Sequence, residues 1–302
     1  MKTKLIDYVE NGPIFITGHV NPDGDALGSA FALKLFLDSQ NIISDVDFDI
    51  TTKLPSNLNH LPYHLISNDL KEKYNTVFVF DCGNSSRLGK YEEVVLAAEN
   101  VVVIDHHKSA MVELHDITNT HFDMTKSGAM LSWEFFHPGK EPPKFIRYIQ
   151  DRDLWTWELE YSKEFSAAFD MVPFEFEEFE KFEDDSVFDD ACKRGSYILA
   201  YSKTVVKKVC EKAQLRKMGG KDVMVVNASH WMSEIGARLA PDCDFALIWY
   251  YDHNDKLIKV SLRAFHDKID VSEISKKYKG GGHKKAAGFT LPSDFNIEDL
   301  FD

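Results

Sequence analysis

The chain has 302 residues, of which 44% are hydrophobic, 13% aromatic and 28% charged. This length allows two domains with sizeable cores, and the composition excludes global disorder. The formal net charge of −14 repels long polyanions, and the sequence has no basic tract of the kind that binds long duplex nucleic acid. A small anionic substrate stays compatible with this charge, because a bound metal ion can dominate the local field.

The four cysteines, Cys82, Cys192, Cys210 and Cys243, form no CxxC pair. We therefore expect no disulfide framework. Residues 1–15 lack the apolar core of a signal peptide, and no run of about 18 apolar residues is present. These features predict a cytoplasmic protein that does not span a membrane.

The first half of the chain alternates short apolar runs with helical patterns. The predicted strands are 13–17, 76–80 and 101–104, and the predicted helices are 25–39 and 127–137. Continuous apolar strands between helices predict an α/β fold with a parallel sheet covered on both faces. Ligands of such sheets bind at the carboxyl ends of the strands.

The second half begins with an acidic, phenylalanine-rich segment, residues 174–190, which predicts one amphipathic helix with a solvated acidic face. We expect a further helix over about 191–215 and a turn at Gly219-Gly220. The remaining predicted strands are 223–227, 245–251 and 256–263, and the remaining predicted helices are 232–239 and 271–278. The chain thus divides into a domain at 1–185, a helical connector at 186–217 and a smaller α/β domain at 218–302.

The first polar motif, residues 18–25, lies between a predicted strand and a predicted helix. Pro22 and Gly24 favour a tight turn that lets Asp23 and Asp25 converge near His19. Asp25 also stands at a helix start, where anions are favoured. The alternative is an Asp-rich turn that only caps the helix.

Two further acidic positions follow predicted strands. Asp81 closes the strand 76–80, where it is either a turn former or a ligand. Asp105-His106-His107 follows the strand 101–104. Two adjacent histidines cannot both face a core, so at the rim of the sheet one can bind a metal while the other reaches a substrate phosphate.

A fourth carboxylate stands in the segment 148–155. The spacing does not decide whether Asp151 or Asp153 faces the site, and Arg152 could instead pair with a carboxylate. With Asp151 in this position the candidate ligands are His19, Asp23, Asp25, Asp81, His106 and Asp151. Two nitrogens and four carboxylates suit manganese, magnesium or iron better than a thiolate-type zinc site. Four carboxylates exceed what one divalent ion needs, so we expect two ions bridged by Asp81.

Four segments together resemble the DHH phosphoesterase superfamily: residues 19–29, Asp81, residues 105–107 and the late run 280–289. The late run resembles the subfamily that carries a DHHA1 substrate-binding domain. The resemblance implies a DHH domain at 1–185 and a DHHA1 domain at 218–302.

The resemblance also implies a role for each candidate residue. His19 and Asp23 would bind one manganese ion, with magnesium as the alternative metal. Asp25, His106 and Asp151 would bind the second, and Asp81 would bridge the two. His107 would contact the scissile phosphate, and Asp105 would orient His106.

On the substrate side, the resemblance implies that Ser261 and Arg263 act together with the late glycine motif, Gly280, Gly281, Gly282 and His283. The chemistry agrees, since glycines allow close backbone approach, amide N–H groups bind anions and arginine can be bidentate to phosphate. Residues 151–155 depart from the corresponding segment of the well-known nano-RNases, which bears on the substrate more than on the metal.

The resemblance implies a metal-dependent phosphoesterase acting on short oligonucleotides, dinucleotides or small nucleotides, as a monomer or homodimer. A RecJ-like single-strand exonuclease is the first alternative, although it should need a basic groove and further domains. An exopolyphosphatase is the second alternative, and a non-catalytic nucleotide-binding regulator is the third.

Overall fold

The computed structural model describes residues 8–9, 12–49, 70–108, 110, 119–173 and 175–302. Contacts divide the chain into two units, Met1–Ile198 and Leu199–Asp302. In the described ranges, no helix combines the length and the hydrophobicity that crossing a bilayer requires. Most of the leading segment behind the signal-peptide prediction, and Phe174 at the start of the acidic segment, lie outside the described residues.

The N-terminal unit contains a five-stranded sheet in the order β2-β1-β3-β4-β5, with every neighbouring pair parallel. The strands are β1 Ile14–Gly18, β2 Ser44–Val46, β3 Thr76–Phe80, β4 Asn100–Asp105 and β5 Asn119–Phe122. The predicted parallel α/β sheet is confirmed, and β2 and β5 extend it at its two edges.

The central strands are buried on both faces, because their side chains alternate between two apolar layers. Ile16 and Phe80 pack into one core together with Leu27. Phe15 and Val79 face a second core on the opposite side of the sheet. This explains why the strands are continuous apolar runs rather than alternating ones.

The helices of the N-terminal unit are α1 Gly24–Ser39, α2 Glu92–Leu96, α3 Gly128–Phe136, α4 Lys144–Asp153, α5 Ser162–Phe169, α6 Phe176–Glu180 and α7 Asp185–Cys210. A side-chain cap starts α1, since Asp23 Oδ1 accepts from the N–H groups of Asp25 and Ala26. Ser127 caps α3 in the same way. Both caps lie beside strand ends and so fix where polar groups emerge. The contact division falls within α7.

The acidic, phenylalanine-rich segment is not one helix. A short helix, α6, is followed by a 3₁₀ turn, Lys181–Glu183, and α7 begins at Asp185. Asp184 interrupts the helix in extended geometry and accepts a hydrogen bond from Ser186 N. The single-helix prediction was wrong because an aspartate in this position starts a new helix rather than continuing the old one. The amphipathic pattern itself is confirmed, since Phe179 and Phe182 are buried.

The C-terminal unit contains a six-stranded sheet in the order β10-β11-β9-β8-β7-β6, in which only β7 and β8 pair in parallel. The strands are β6 Gln214–Met218, β7 Lys221–Asn227, β8 Phe245–Asp252, β9 Leu257–Arg263, β10 Gly281–Gly282 and β11 Ala286–Pro292. Its helices are α8 Met232–Leu239 and α9 Val271–Lys276. The expectation of a second, smaller α/β domain is confirmed, although its boundaries at 186 and 218 stay predictions.

The predicted helix over 191–215 ends earlier than expected. It stops at Cys210, and Gln214–Met218 forms strand β6, paired antiparallel with β7. Gly219 and Gly220, with φ of 55° and 74°, make the two-residue turn between these strands. Such a turn needs positive φ at both positions and joins hairpin strands. The glycine pair is therefore the turn of a β-hairpin, and the first strand of this hairpin, β6, includes the last residues of the predicted helical connector.

Candidate active site

The carboxyl ends of three neighbouring parallel strands meet at one edge of the N-terminal sheet. Gly18 at the end of β1 lies opposite Phe80 at the end of β3, and Phe80 lies opposite Ile104 in β4. His19 and Asp81 directly follow the first two strands, and Asp105 ends the third. Parallel pairing thus brings together polar residues that are far apart in the sequence.

Asp81 lies at the centre of this edge in a strained conformation. Its φ is 49°, in the left-handed region that an aspartate adopts only at a cost of about 1 kcal/mol or more. The side chain is buried, and within the described chain no hydrogen bond reaches its Oδ1. His107 Nδ1 lies 3.1 Å from this oxygen and His106 Nε2 lies 3.5 Å from it. A buried carboxylate oxygen held in this way is a ready ligand for a cation.

The first group of converging ligands is His19, Asp23 and Asp81, whose donor atoms lie within 4.8 Å of one another. His19 Nε2 is 3.7 Å from Asp23 Oδ1 and 3.6 Å from Asp81 Oδ2. The other ring nitrogen, Nδ1, donates to the backbone oxygen of Val20 at 2.8 Å. That bond fixes the tautomer and turns the Nε2 lone pair to the cluster, as in histidine metal ligands.

The second group is Asp25, His106 and Asp153, which satisfies the same distance limit. His106 Nε2 lies 3.6 Å from Asp25 Oδ2 and 3.4 Å from Asp153 Oδ2. Asp25 is fixed by two backbone donors at the start of α3, Gly128 N at 2.6 Å and Ala129 N at 2.9 Å. With Asp81 also 3.5 Å from His106, one carboxylate adjoins both groups.

Asp151 does not join the cluster, and the resemblance-based choice of this residue is corrected. Its carboxylate accepts hydrogen bonds from Thr156 Oγ1 at 2.6 Å, Glu158 N at 2.8 Å and Leu159 N at 3.2 Å. It therefore anchors the turn after α4, while Asp153 reaches His106. Arg152, which lies between them in the chain, pairs with the carboxylate of Asp170. Pairing with a carboxylate is one of the two roles that the sequence allows for this arginine.

Asp105 orients His107, not His106 as expected. Its Oδ1 accepts from the backbone N and from Nδ1 of His107, at 2.7 and 2.9 Å. Its Oδ2 accepts from Cys82 N and Gly83 N, both at 2.8 Å. These bonds use the buried carboxylate fully, so Asp105 fixes a ring and a loop.

The electrostatics of the cluster call for added positive charge. Burial would lower the pKa of His106, but the carboxylates that surround it outweigh this effect and raise it to about 9. His19 behaves in the same way, with a pKa raised to about 10. Burial and the charge of Asp81 raise the pKa of Asp25 to about 6. Without a metal, protons supply the neutralising charge; divalent ions would do so more fully.

The donor set fits hard divalent ions. Each group offers one imidazole nitrogen and two carboxylates, a combination suited to manganese, iron or magnesium. Cys82 is the cysteine next to Asp81, but burial raises the pKa of its thiol to about 12 and its Sγ donates to Asn84 O at 3.0 Å. A thiol in that state is not a metal ligand. The residues therefore fit the two-ion site that the sequence predicts.

In the C-terminal unit, Arg263 is a half-buried cation held by neutral partners. Its Nη1 donates to Ser261 Oγ at 2.8 Å and to Leu262 O at 2.9 Å, and its Nη2 donates to Ser233 Oγ at 3.0 Å. Burial lowers the pKa of this guanidinium. Among the described residues, no carboxylate lies within 4.0 Å of it. Such a group is prepared to bind an anion.

The late glycine motif lies two strands away from Arg263 in the same sheet. Gly281 in β10 pairs with Gly288 in β11, and Gly288 pairs with Ser261 in β9. A Cβ atom at Gly280 would overlap the carbonyl oxygen of Gly288. The amides of Gly280 and His283 donate to Ser275 O and Ala286 O. These two amides are therefore not available to bind an anion, contrary to the expectation from the sequence. The first role of the glycines is close strand packing.

Several contributors to these sites were missed from the sequence. The sequence does not distinguish Asp153 from Asp151, and it gives no direct sign of the amides of Gly128 and Ala129 as donors to Asp25. Ser127-Gly128 could have indicated them, since a capped helix start presents N–H groups to an anion. Ser233 had no sequence signal, because its contact with Arg263 depends on how α8 packs on β9.

Two family models match the chain. Residues 13–152 match the DHH family, N-terminal domain. Residues 232–302 match the DHHA1 domain. The first range holds the candidate ligands from His19 to His106, and the second holds Arg263 and the glycine motif.

Two similar proteins and one solved structure add to this comparison. An uncharacterized protein, R106, of Acanthamoeba polyphaga mimivirus is 32% identical over 234 residues, covering 74% of this chain and 56% of the viral protein. The chain thus matches little more than half of that relative. Oligoribonuclease NrnB of Bacillus subtilis (strain 168) is 27% identical over 311 residues, covering 92% of this chain and 73% of NrnB. RecJ from Thermus thermophilus, solved in complex with Mn²⁺, has a TM-score of 0.53 at 14% identity, covering 96% of this chain and 51% of RecJ, a likeness of fold alone.

Proposed function

We propose that this protein is a manganese-dependent phosphodiesterase that cleaves dinucleotides and very short oligonucleotides, because its sequence matches the DHH family over residues 13–152 and the DHHA1 domain over residues 232–302. The phosphodiesterase activity, the metal and the substrate all belong to this proposal. One observation carries the proposal. Each of two ligand groups offers one histidine and two carboxylates, and the strained Asp81 belongs to the first group and adjoins the second.

Manganese is favoured by the ligand chemistry and by the metal present in the RecJ structure, which has the same fold. Short substrates are favoured by the name of the similar NrnB, an oligoribonuclease. The net charge of −14 also disfavours a long polyanion. Divalent ions held by the two groups would withdraw charge from the phosphate and make the attacking water more acidic.

The protein's own groups have distinct parts in this proposal. His19, Asp23 and Asp81 would hold one ion. Asp25, His106 and Asp153 would hold the other. Asp105 keeps the His107 ring in one orientation, and the carboxylates beside that ring raise its pKa well above the ordinary value, against the effect of burial. A protonated ring can donate a hydrogen bond to a non-bridging phosphate oxygen and stabilise its charge. Arg263, with Ser261, binds a terminal phosphate.

The test is hydrolysis of two- to five-residue RNAs, a long single-stranded DNA, adenosine bisphosphate and polyphosphate, each with manganese and with chelator. We expect manganese-dependent turnover that is fastest for the shortest RNAs. Asp81→Ala should abolish it, while Asp38→Ala, an exposed acid on the helix that carries Asp25, should not.

Different outcomes would replace the proposal. Faster turnover of the long strand would indicate an exonuclease, and turnover of polyphosphate alone would indicate an exopolyphosphatase. Binding of nucleotides without any turnover would indicate a regulator.

A further inference from the structure

The turn after α4 holds three aromatic residues in an unusual backbone conformation. Trp155, Trp157 and Tyr161 have φ of 58°, 57° and 59°. Bulky aromatic residues rarely adopt this left-handed region, and each such residue costs free energy. Three in seven residues indicate that the surrounding contacts impose the conformation.

Asp151 supplies those contacts. It accepts three hydrogen bonds from the turn, from the Thr156 hydroxyl and the amides of Glu158 and Leu159. Its backbone oxygen also accepts from Thr156 N at 3.0 Å. The buried carboxylate therefore holds the turn in its strained form, and Trp155 and Trp157 flank the anchored Thr156.

The rings of Trp155, which is exposed, and Trp157, which is half-buried, pack against each other. Their centroids are 4.9 Å apart with an interplanar angle of 72°. Trp155 is 44% exposed, whereas Trp133 in the core is 5% exposed. Lys163 Nζ lies 5.5 Å from the Trp157 ring centroid. A cation covers Trp157, and a large apolar surface on Trp155 stays in contact with water.

Trp155 lies close in the chain to a candidate metal ligand. Trp155 follows Asp153 by two residues, and Asp153 Oδ2 is 3.4 Å from His106 Nε2. Two trans peptide units place these Cα atoms at most about 7.6 Å apart. The backbone of Trp155 is therefore close to the candidate metal ligand Asp153, within a span that one nucleotide can bridge.

We propose that Trp155, supported by Trp157, is a stacking platform for an unpaired nucleobase attached to the scissile phosphate. Each base has a π-face, and stacking on an aromatic side chain is tolerant of sequence. Lys163 adds positive charge beside the platform. The inference rests on the proposed function and narrows it to substrates that carry a base.

The experiment compares an RNA dinucleotide of two adenosines with two versions of it, one lacking the 5′ base and one lacking the 3′ base. Trp155→Ala should raise KM for the intact dinucleotide roughly 5- to 150-fold, as expected for the loss of one stacked base. It should change KM little for the dinucleotide that lacks the stacked base. Trp155→Phe should stay near wild type, because a ring is kept. Leu159→Ala, at another exposed site in the same turn, controls for general disturbance and should be unchanged.

Each contrary result has one meaning. An unchanged KM in Trp155→Ala overturns the platform and leaves the proposed function standing. So does an equal rise in KM for the intact dinucleotide and for the two dinucleotides that each lack one of its bases. If wild type cleaves no dinucleotide, the proposed function fails. Calorimetry with AMP and ribose 5-phosphate then decides the platform: only a preference for AMP that Trp155→Ala removes would support it, and any other result overturns it.

Discussion

The two units hold polar sites of opposite charge. In the N-terminal unit, Asp25 and Asp81 are buried in a cluster in which carboxylates outnumber the histidines. In the C-terminal unit, Arg263 is enclosed by hydroxyl and carbonyl oxygens without a carboxylate within 4.0 Å among the described residues.

Withdrawing charge from water without an opposite charge beside it costs free energy in both cases, although Arg263 is only half-buried. The first unit is prepared for cations, and the second is prepared for an anion. Divalent metal ions would balance the carboxylates of the first unit, and a phosphate would balance Arg263 of the second. Each unit by itself therefore favours a part of the same class of ligand, a phosphate ester bound with metal ions. We therefore expect substitutions in the first unit to weaken metal binding and substitutions in the second to weaken phosphate binding.

Removal of the shared carboxylate should have the largest effect. Asp81→Ala takes away the ligand common to both groups, and we expect a loss of hydrolysis of at least about a thousand-fold, or some 4 kcal/mol in the barrier. Manganese at a hundred times its Kd should stabilise wild type by about 2.7 kcal/mol, and this gain should vanish in the variant. Thermal unfolding with and without manganese measures it. A full manganese gain in Asp81→Ala would contradict the two-ion centre.

The next largest effect should separate the two aspartates of α4. Asp153→Asn should lower hydrolysis by about a hundred-fold or more, because it removes a charged ligand beside His106. Asp151→Asn should keep metal affinity but lose about 1–3 kcal/mol of stability, since the turn loses charge-assisted hydrogen bonds. Manganese titration calorimetry and urea unfolding measure the two quantities. If Asp151→Asn lost manganese binding and Asp153→Asn kept it, Asp151 would be the metal ligand that the family resemblance implies.

Arg263→Gln tests the anion side of the contrast. We expect KM to rise roughly 10- to 150-fold, the value of one hydrogen bond to a charged group, with a smaller change in kcat. Arg216→Gln is the matched control, because Arg216 is exposed and pairs with Glu298. Equal kinetics for the two variants would remove Arg263 from substrate binding.

The smallest effect concerns the glycine motif as a packing element. Gly280→Ala should cost about 1–3 kcal/mol of unfolding free energy, because the new Cβ meets Gly288 backbone in the adjacent strand. Gly219→Asn should cost less than about 1 kcal/mol, since asparagine tolerates positive φ and nothing lies within 4 Å of that site. Urea midpoints compare the pair. A neutral Gly280→Ala would show that the motif is not constrained by packing.

Much of the fold was readable because local patterns and tertiary packing agree. Apolar runs at 76–80 and 101–104 are buried on both faces, so their composition reflects their place in a parallel sheet. The edge strands β2 and β5 are short and carry polar residues, and their sequences resemble loops. The helix expected through 215 failed because β6 is defined by pairing with β7, a partner that helical periodicity does not reveal.

By itself, the sequence determined that polar residues follow three parallel strands and that His19, Asp81 and His106 therefore converge. It also determined the family resemblance and the oxygen-rich ligand chemistry. Only the tertiary structure decided between Asp151 and Asp153. Residues two apart on a helix point about 200° apart, and the packing of Phe145 and Ile149 into the core sets which one meets His106. In the same way, three-dimensional contact alone showed that Asp105 holds His107 and that Ser233 holds Arg263.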